Sequence, residues 1–92
     1  MFYYLLSQRM TTDNIFEEDH TYKVNIGLYS SLSAIKKELV KELDMMYCDF
    51  EDHDERMHDL TFEIDSIEEN DIDLEHTIEI DDFEIEMLEV VA

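Results

Sequence analysis

Two different apolar periods run along the chain, and together they leave few folds open to it. Leu32, Ile35, Leu39, Leu43 and Met46 recur at steps of three and four, the repeat that gathers side chains on one face of a helix. Ser30 and Ser31 stand immediately before this stripe, where a hydroxyl can accept from the unsatisfied N–H groups of a first turn. On either side the step changes to two. Tyr22, Val24, Ile26 and Leu28 alternate with Lys23, Asn25 and Gly27. After the helix, Leu60, Phe62 and Ile64 alternate with polar neighbours, then Ile72, Leu74, His76, Ile78 and Ile80, then Phe83, Ile85 and Met87. Alternation of this kind predicts half-buried strands.

The opening segment, Met1 to Met10, carries the run Phe2-Tyr3-Tyr4-Leu5-Leu6, too short for a helix, and reads as a buried strand. Residues 11–20 are polar, with Asp13-Asn14 as the expected bend, so the first two strands should form a hairpin. Gly27, the one glycine in the chain, suggests a bulge or a close backbone approach within the second strand. Residues 47–59 show no clean period and predict a loop or a short extra turn. No proline interrupts any strand, as suits segments that need every backbone donor. The predicted architecture is α+β. It has a ββα unit followed by two or three strands, making an antiparallel sheet of four to five strands (ββαββ(β)) with one helix packed on one face. Ninety-two residues suffice for one such domain, spanning 1–92.

Charge is where the chain departs from an ordinary small domain. Twenty-six Asp and Glu face six Lys and Arg, a formal net charge of −20. Residues 1–46 hold seven acids and five bases; residues 47–92 hold nineteen acids and one base. Self-repulsion on this scale opposes compaction, so function is the expected reason for it. On the strand reading, the outward positions of the second half are almost all acidic, whereas an ordinary solvated face mixes both signs. The candidate partner-binding residues are therefore Glu63, Asp65, Asp71, Asp73, Glu75, Glu79, Asp81, Asp82, Glu84 and Glu86. Placed on adjacent strands about 4.8 Å apart, they would form rows of negative charge comparable to the phosphates of a DNA backbone.

Other chemistries find less support. Asp71-x-Asp73-x-Glu75 resembles the start of a calcium loop but lacks the glycine of its sharp turn. Cys48, His53 and His58 are spaced too widely for a usual zinc set. No glycine-rich phosphate loop and no G-x-S-x-G occurs, so no catalytic residue and no cofactor is expected and the chain does not read as an enzyme. Direct nucleic-acid binding needs positive charge, and the only cluster is Lys36, Lys37 and Lys41. A single cysteine, no apolar run of membrane-spanning length and no basic-then-apolar leader make the cytoplasm the expected location.

Two resemblances extend this reading. The tract Ile26-Gly27-Leu28-Tyr29-Ser30-Ser31, with Ala34 beyond it and Phe2-Tyr3-Tyr4-Leu5 upstream, resembles small phage-encoded domains in which a hairpin turns into a helix. It covers roughly the first half of the chain. In size, acidity and charge layout the whole chain is similar to the DNA-mimic inhibitors of phages and mobile elements, including anti-restriction and anti-CRISPR proteins. That resemblance implies an inhibitor occupying the nucleic-acid groove of a basic host protein, in the cytoplasm of an infected cell. The alternative is a non-mimic interaction module, antitoxin-like or an assembly factor. It would act through its helix, a sheet edge or the apolar tail Met87, Leu88, Val90 and Val91, which also offers a homodimer contact.

Overall fold

The computed structural model describes residues 1–12 and 20–91; the expected bend at Asp13-Asn14 lies outside the described residues. Strands β1 (Phe2–Thr12) and β2 (His20–Tyr29) pair antiparallel, as the alternating pattern predicts. The pairing slips by one residue between Leu6 and Ser7, because Leu6 faces Gly27 while Ser7 faces Asn25, leaving Ile26 as the extra residue of a bulge. This corrects the expected single apolar face of β2. Tyr22 and Val24 stay on the face shared with Leu6, whereas Leu28 is turned to the opposite one alongside Leu5. Gly27 directly follows the bulge, and the close approach there is by a side chain, since a Cβ would meet the Tyr29 ring at 3.0 Å from Oη and 3.2 Å from Cζ.

Helix α1 (Leu32–Tyr47) follows the hairpin. Ser31 caps it, its Oγ accepting from the Ala34 N–H at 3.2 Å. Leu32, Ile35, Leu39 and Leu43 are buried, and Met46 is packed at the margin. Full burial of each such side chain contributes about 1.5–3 kcal/mol, so the stripe anchors the helix on β1 and β2.

The segment after α1 differs from its expected form. Residues 53–65, of which Leu60-Phe62-Ile64 predicts a strand, form a second helix, α2 (His53–Asp65). The single-helix expectation is thereby corrected to two helices. Met57, Leu60 and Ile64 are spaced by three and four and turn inward, while Phe62 is 75% exposed. Asp54 and Glu55 occupy the first turn, where carboxylates complement the partial positive charge of a helix N-terminus. Ser66 closes the other end, its Oγ donating to the Glu63 carbonyl at 2.6 Å. No base stands in the last turn of α2. Lys36 of α1 supplies one instead, its Nζ donating to the Asp65 carbonyl at 3.4 Å and to the Ile67 carbonyl.

A single 3-10 turn, Glu69–Asp71, comes next, with Glu68 and Asp71 in a reciprocal capping box. The strand expected over residues 71–81 is confined to β3 (Ile78–Ile80). Local hydrogen bonds explain the shortfall. The Asp71 carboxylate accepts from the Glu68 N–H at 2.8 Å, and the Asp73 carboxylate from the N–H groups of Glu75 and His76, each at 2.8 Å. Short acidic side chains that bind their own backbone compete with a strand ladder.

Strand β4 (Phe83–Glu89) returns along β3 and β1, giving a four-stranded antiparallel sheet of order β2-β1-β4-β3. The α+β class and the strand number agree with the sequence pattern. The β3–β4 turn is Asp81-Asp82, with Asp81 in the left-handed region at φ 52°; that conformation costs a typical side chain about 1–2 kcal/mol and is best tolerated by Gly, Asn and Asp. Leu6, Ile85, Ile35, Leu39, Leu43, Ile64 and Ile72 are fully buried between the sheet and the helical layer.

Candidate functional site

The sheet face opposite the core carries two of the expected acids with a base beside each. Arg9 Nη2 lies 2.9 Å from Glu79 Oε1, and Lys23 Nζ lies 2.6 Å from Glu84 Oε2. Glu84 is buried, its side chain only 10% exposed, and a carboxylate so placed needs its cation. Glu86, half-buried, stands between Leu5 on β1 and the solvent on the same face. One end of that face is apolar, with Tyr3, Leu5 and Leu88 half-buried and Leu28 exposed. The expected lattice of acids on one sheet face is thus absent, and the ten candidate residues do not share one surface.

Several of the others serve the local fold. Asp81 accepts from the Tyr47 hydroxyl at 2.7 Å, holding the β3–β4 turn against the end of α1 and pushing the phenol pKa up. The carbonyl of Asp82 accepts from the Arg9 N–H at 2.6 Å, while its side chain is exposed. Backbone N–H donation from Glu75, then the His76 ring, hold the Asp73 carboxyl below its ordinary range. Glu63 and Asp65 are exposed on α2, and Glu75 is exposed in the segment before β3.

What the structure does gather is a different set. Between Asp49 and Glu75 the chain holds thirteen acids and one base, and every one of those acids is exposed. The base, Arg56, lies over two rings at the surface, its side chain 40% exposed. Its guanidinium carbon sits 4.8 Å from the Tyr47 ring centre and 5.2 Å from that of Phe50, and Nη2 bonds Asp52 at 3.0 Å. Its buried Nε has no hydrogen-bond partner among the described residues, consistent with a cation held by ring faces. Glu55, Asp59 and Glu63 follow one another at four-residue steps, about 6 Å apart along a helix axis. One DNA strand advances about 3.4 Å per phosphate, so this row alone has roughly half that charge density. Asp54, Asp65, Glu68 and Glu69 add to it. Phe62 stands out of the helix among these carboxylates.

Asp54, Glu55 and Asp59 were not among the expected partner residues, although a signal for them exists. Acids at positions 55, 59 and 63 repeat at helical spacing, on a face apart from that of Met57, Leu60 and Ile64. Nearby, His53 bridges the helices, with Nε2 2.5 Å from Asp44 and Nδ1 3.1 Å from Asp54. The Asp44 bond, seconded by Asp54, pushes the imidazole pKa up. Among the described residues no three His, Cys, Asp or Glu side chains are placed to hold a metal ion, which covers Cys48-His53-His58 and Asp71-Asp73-Glu75. No helix among the described residues is long and apolar enough to cross a membrane. Compared with protein-family models, with curated proteins and with solved structures, the chain finds no match in any of the three.

Proposed function

We propose that this protein is a DNA-mimic inhibitor, a decoy that occupies the nucleic-acid-binding surface of a basic host protein. The mimicry is carried by α2 and the segment following it rather than by the strands. The observation behind the proposal is the thirteen exposed acids of residues 49–75, whose single base, Arg56, is stacked on Tyr47 and Phe50 and pairs with Asp52 alone among the described residues. Carboxylates without a cation within reach keep their full field for a partner, and such a field steers association and excludes wrong partners more than it adds raw affinity. Phe62 supplies what charge lacks, an exposed ring in the middle of the acidic row that can fill a pocket and anchor the complex. The reading assigns the chain no catalytic step and no cofactor, and it places the protein in the cytoplasm, where restriction, CRISPR and other DNA-binding proteins work.

The test is displacement. A fluorescent duplex bound to purified restriction or CRISPR nucleases should be released by micromolar protein at low salt. Release should fall steeply as sodium chloride is raised, because screening shortens the reach of exposed charges. Failure to displace duplex from a panel of such proteins, at low salt and in excess, would refute the proposal.

A further inference from the structure

We propose that the edge of β2, unpaired among the described residues, is a self-association surface, and that its occupant is the same edge of a second copy, paired antiparallel about a two-fold axis. The two edges of the sheet differ in kind. One is β3, three residues long, with Glu79 at its centre and Asp81 directly after it. The other is β2, ten residues long, with neither proline nor carboxylate in it and Lys23 as its only charged side chain other than His20. Natural edges are blunted by brevity, charge, proline or bulges. On β2 the bulge at Ile26 serves the far third, leaving Thr21–Asn25 as a regular open stretch.

That stretch also carries unsatisfied apolar surface. Val24 and Tyr22 face the helix side of the sheet, opposite Gln8 and Met10, yet both are nearly half exposed because β1 and β2 run beyond the end of β4, which reaches only to Gln8. A second copy brings the same residues, and cross-strand pairs of aromatic and β-branched side chains are the stabilising unit of a sheet.

Charge selects the occupant. A basic partner is drawn to the acidic half, not to an edge without carboxylates. Two copies meeting elsewhere would oppose their acids directly. At β2 the sheet order sets β4 two strands and β3 three strands back from the edge, about 10 and 14 Å at 4.8 Å per strand. Both distances exceed the screening length of about 8 Å at physiological salt. Antiparallel pairing further separates the two His20 ends, beside which the sequence carries Glu17, Glu18 and Asp19. An isologous joint of this kind closes at two copies.

The test is sedimentation equilibrium of the full chain alone, from about 1 to about 500 μM, at low and high salt. The expected mass rises toward twice the 11.1 kDa of one chain, with dimerisation strengthened at least about tenfold by high salt as repulsion is screened. This is the opposite salt dependence to that of the proposed inhibition, so either proposal can fail without the other. Val24→Asp and Tyr22→Lys, both at exposed positions, should return the chain to monomer with an unchanged circular dichroism spectrum. Val91→Asp, in the exposed tail, should leave the dimer intact. Amide exchange at Thr21–Asn25 should slow as concentration rises, a readout that needs no variant. A monomer under all conditions, or a dimer that Val91→Asp dissolves and Val24→Asp leaves, would overturn the proposal.

Discussion

On the open face of the sheet Glu79 and Glu84 stand within ion-pair distance of Arg9 and Lys23, whereas on α2 Glu55, Asp59 and Glu63 look into solvent with no base beside them among the described residues. The two regions use the same side-chain chemistry to different ends. Strand order brings Arg9 and Lys23 of the first half beside Glu79 and Glu84 of the second, so these two strand carboxylates are neutralised as part of holding β1, β2, β3 and β4 together. The helical carboxylates come from a stretch whose one base is turned to aromatic rings, and their charge stays external. A count of acids therefore overstates what the sheet can offer a partner and understates how concentrated the helical field is.

The largest expected effect tests whether α2 is a helix at all. Ile64 is fully buried and Phe62 is exposed, though a strand would turn both the same way. Ile64→Ala should cost about 2–5 kcal/mol in urea unfolding, and Phe62→Ala no more than about 0.5; equal losses would restore the strand. Next comes the contrast in binding. Neutralising Glu55, Asp59 and Glu63 as Gln, Asn and Gln should weaken duplex displacement about a hundredfold, some 2.7 kcal/mol. The sheet variant Glu79→Gln with Glu86→Gln should change it less than about threefold. The reverse order would return the site to the strands.

A smaller effect reports on the neutralised region. Lys23→Met strips the cation from nearly buried Glu84 and should lower the melting temperature, and adding Glu84→Gln should recover part of the loss in a double-mutant cycle. Smallest is the pH dependence. The His53 pKa is raised in the folded protein by Asp44 and then Asp54. Its stabilisation is therefore fully present below the ordinary imidazole value of about 6.5 and is lost as pH rises through the folded value. Chemical unfolding across that window should show the decline, and His53→Gln should flatten it. The Asp73 carboxyl is shifted down, so its contribution is present above about 3.9 and is lost as pH falls through the folded value.

The first half of the fold was legible because each level of the sequence agrees. Alternation, a serine cap and a five-member helical stripe all describe the hairpin and α1. Strand β4 was legible for the same reason. Residues 53–65 were misread because Leu60, Phe62 and Ile64 satisfy a period of two, while the competing helical set, Met57, Leu60 and Ile64, begins in a stretch dense with charge. The acids at its start, which favour a helix N-terminus, point the right way. Residues 71–77 kept the alternation but lost the strand to side-chain hydrogen bonds from Asp71 and Asp73, which periodicity does not register. The acidity of the candidate site was plain from composition. Its location was not, because it turns on which carboxylates find Arg9 and Lys23 across the sheet, and that depends on strand order.

Strand order also sets the sequence of events by which the chain can fold. Strand β1, one of the two central strands, is made well before β4, one of its two partners in the sheet. Phe2 pairs with Glu89, and the Val90 N–H donates to the Met1 carbonyl at 2.8 Å. Until β4 emerges, the hairpin and α1 stand with an unsatisfied central edge and an incomplete core. Closing contacts between segments so distant in sequence is entropically slow, so folding should lie toward the millisecond-to-second range rather than the microseconds of a helical bundle. A nascent chain halted before Phe83 would expose the Tyr4–Leu6 strand as a template for aggregation, which makes the emergence of β4 the step that renders this domain safe from itself.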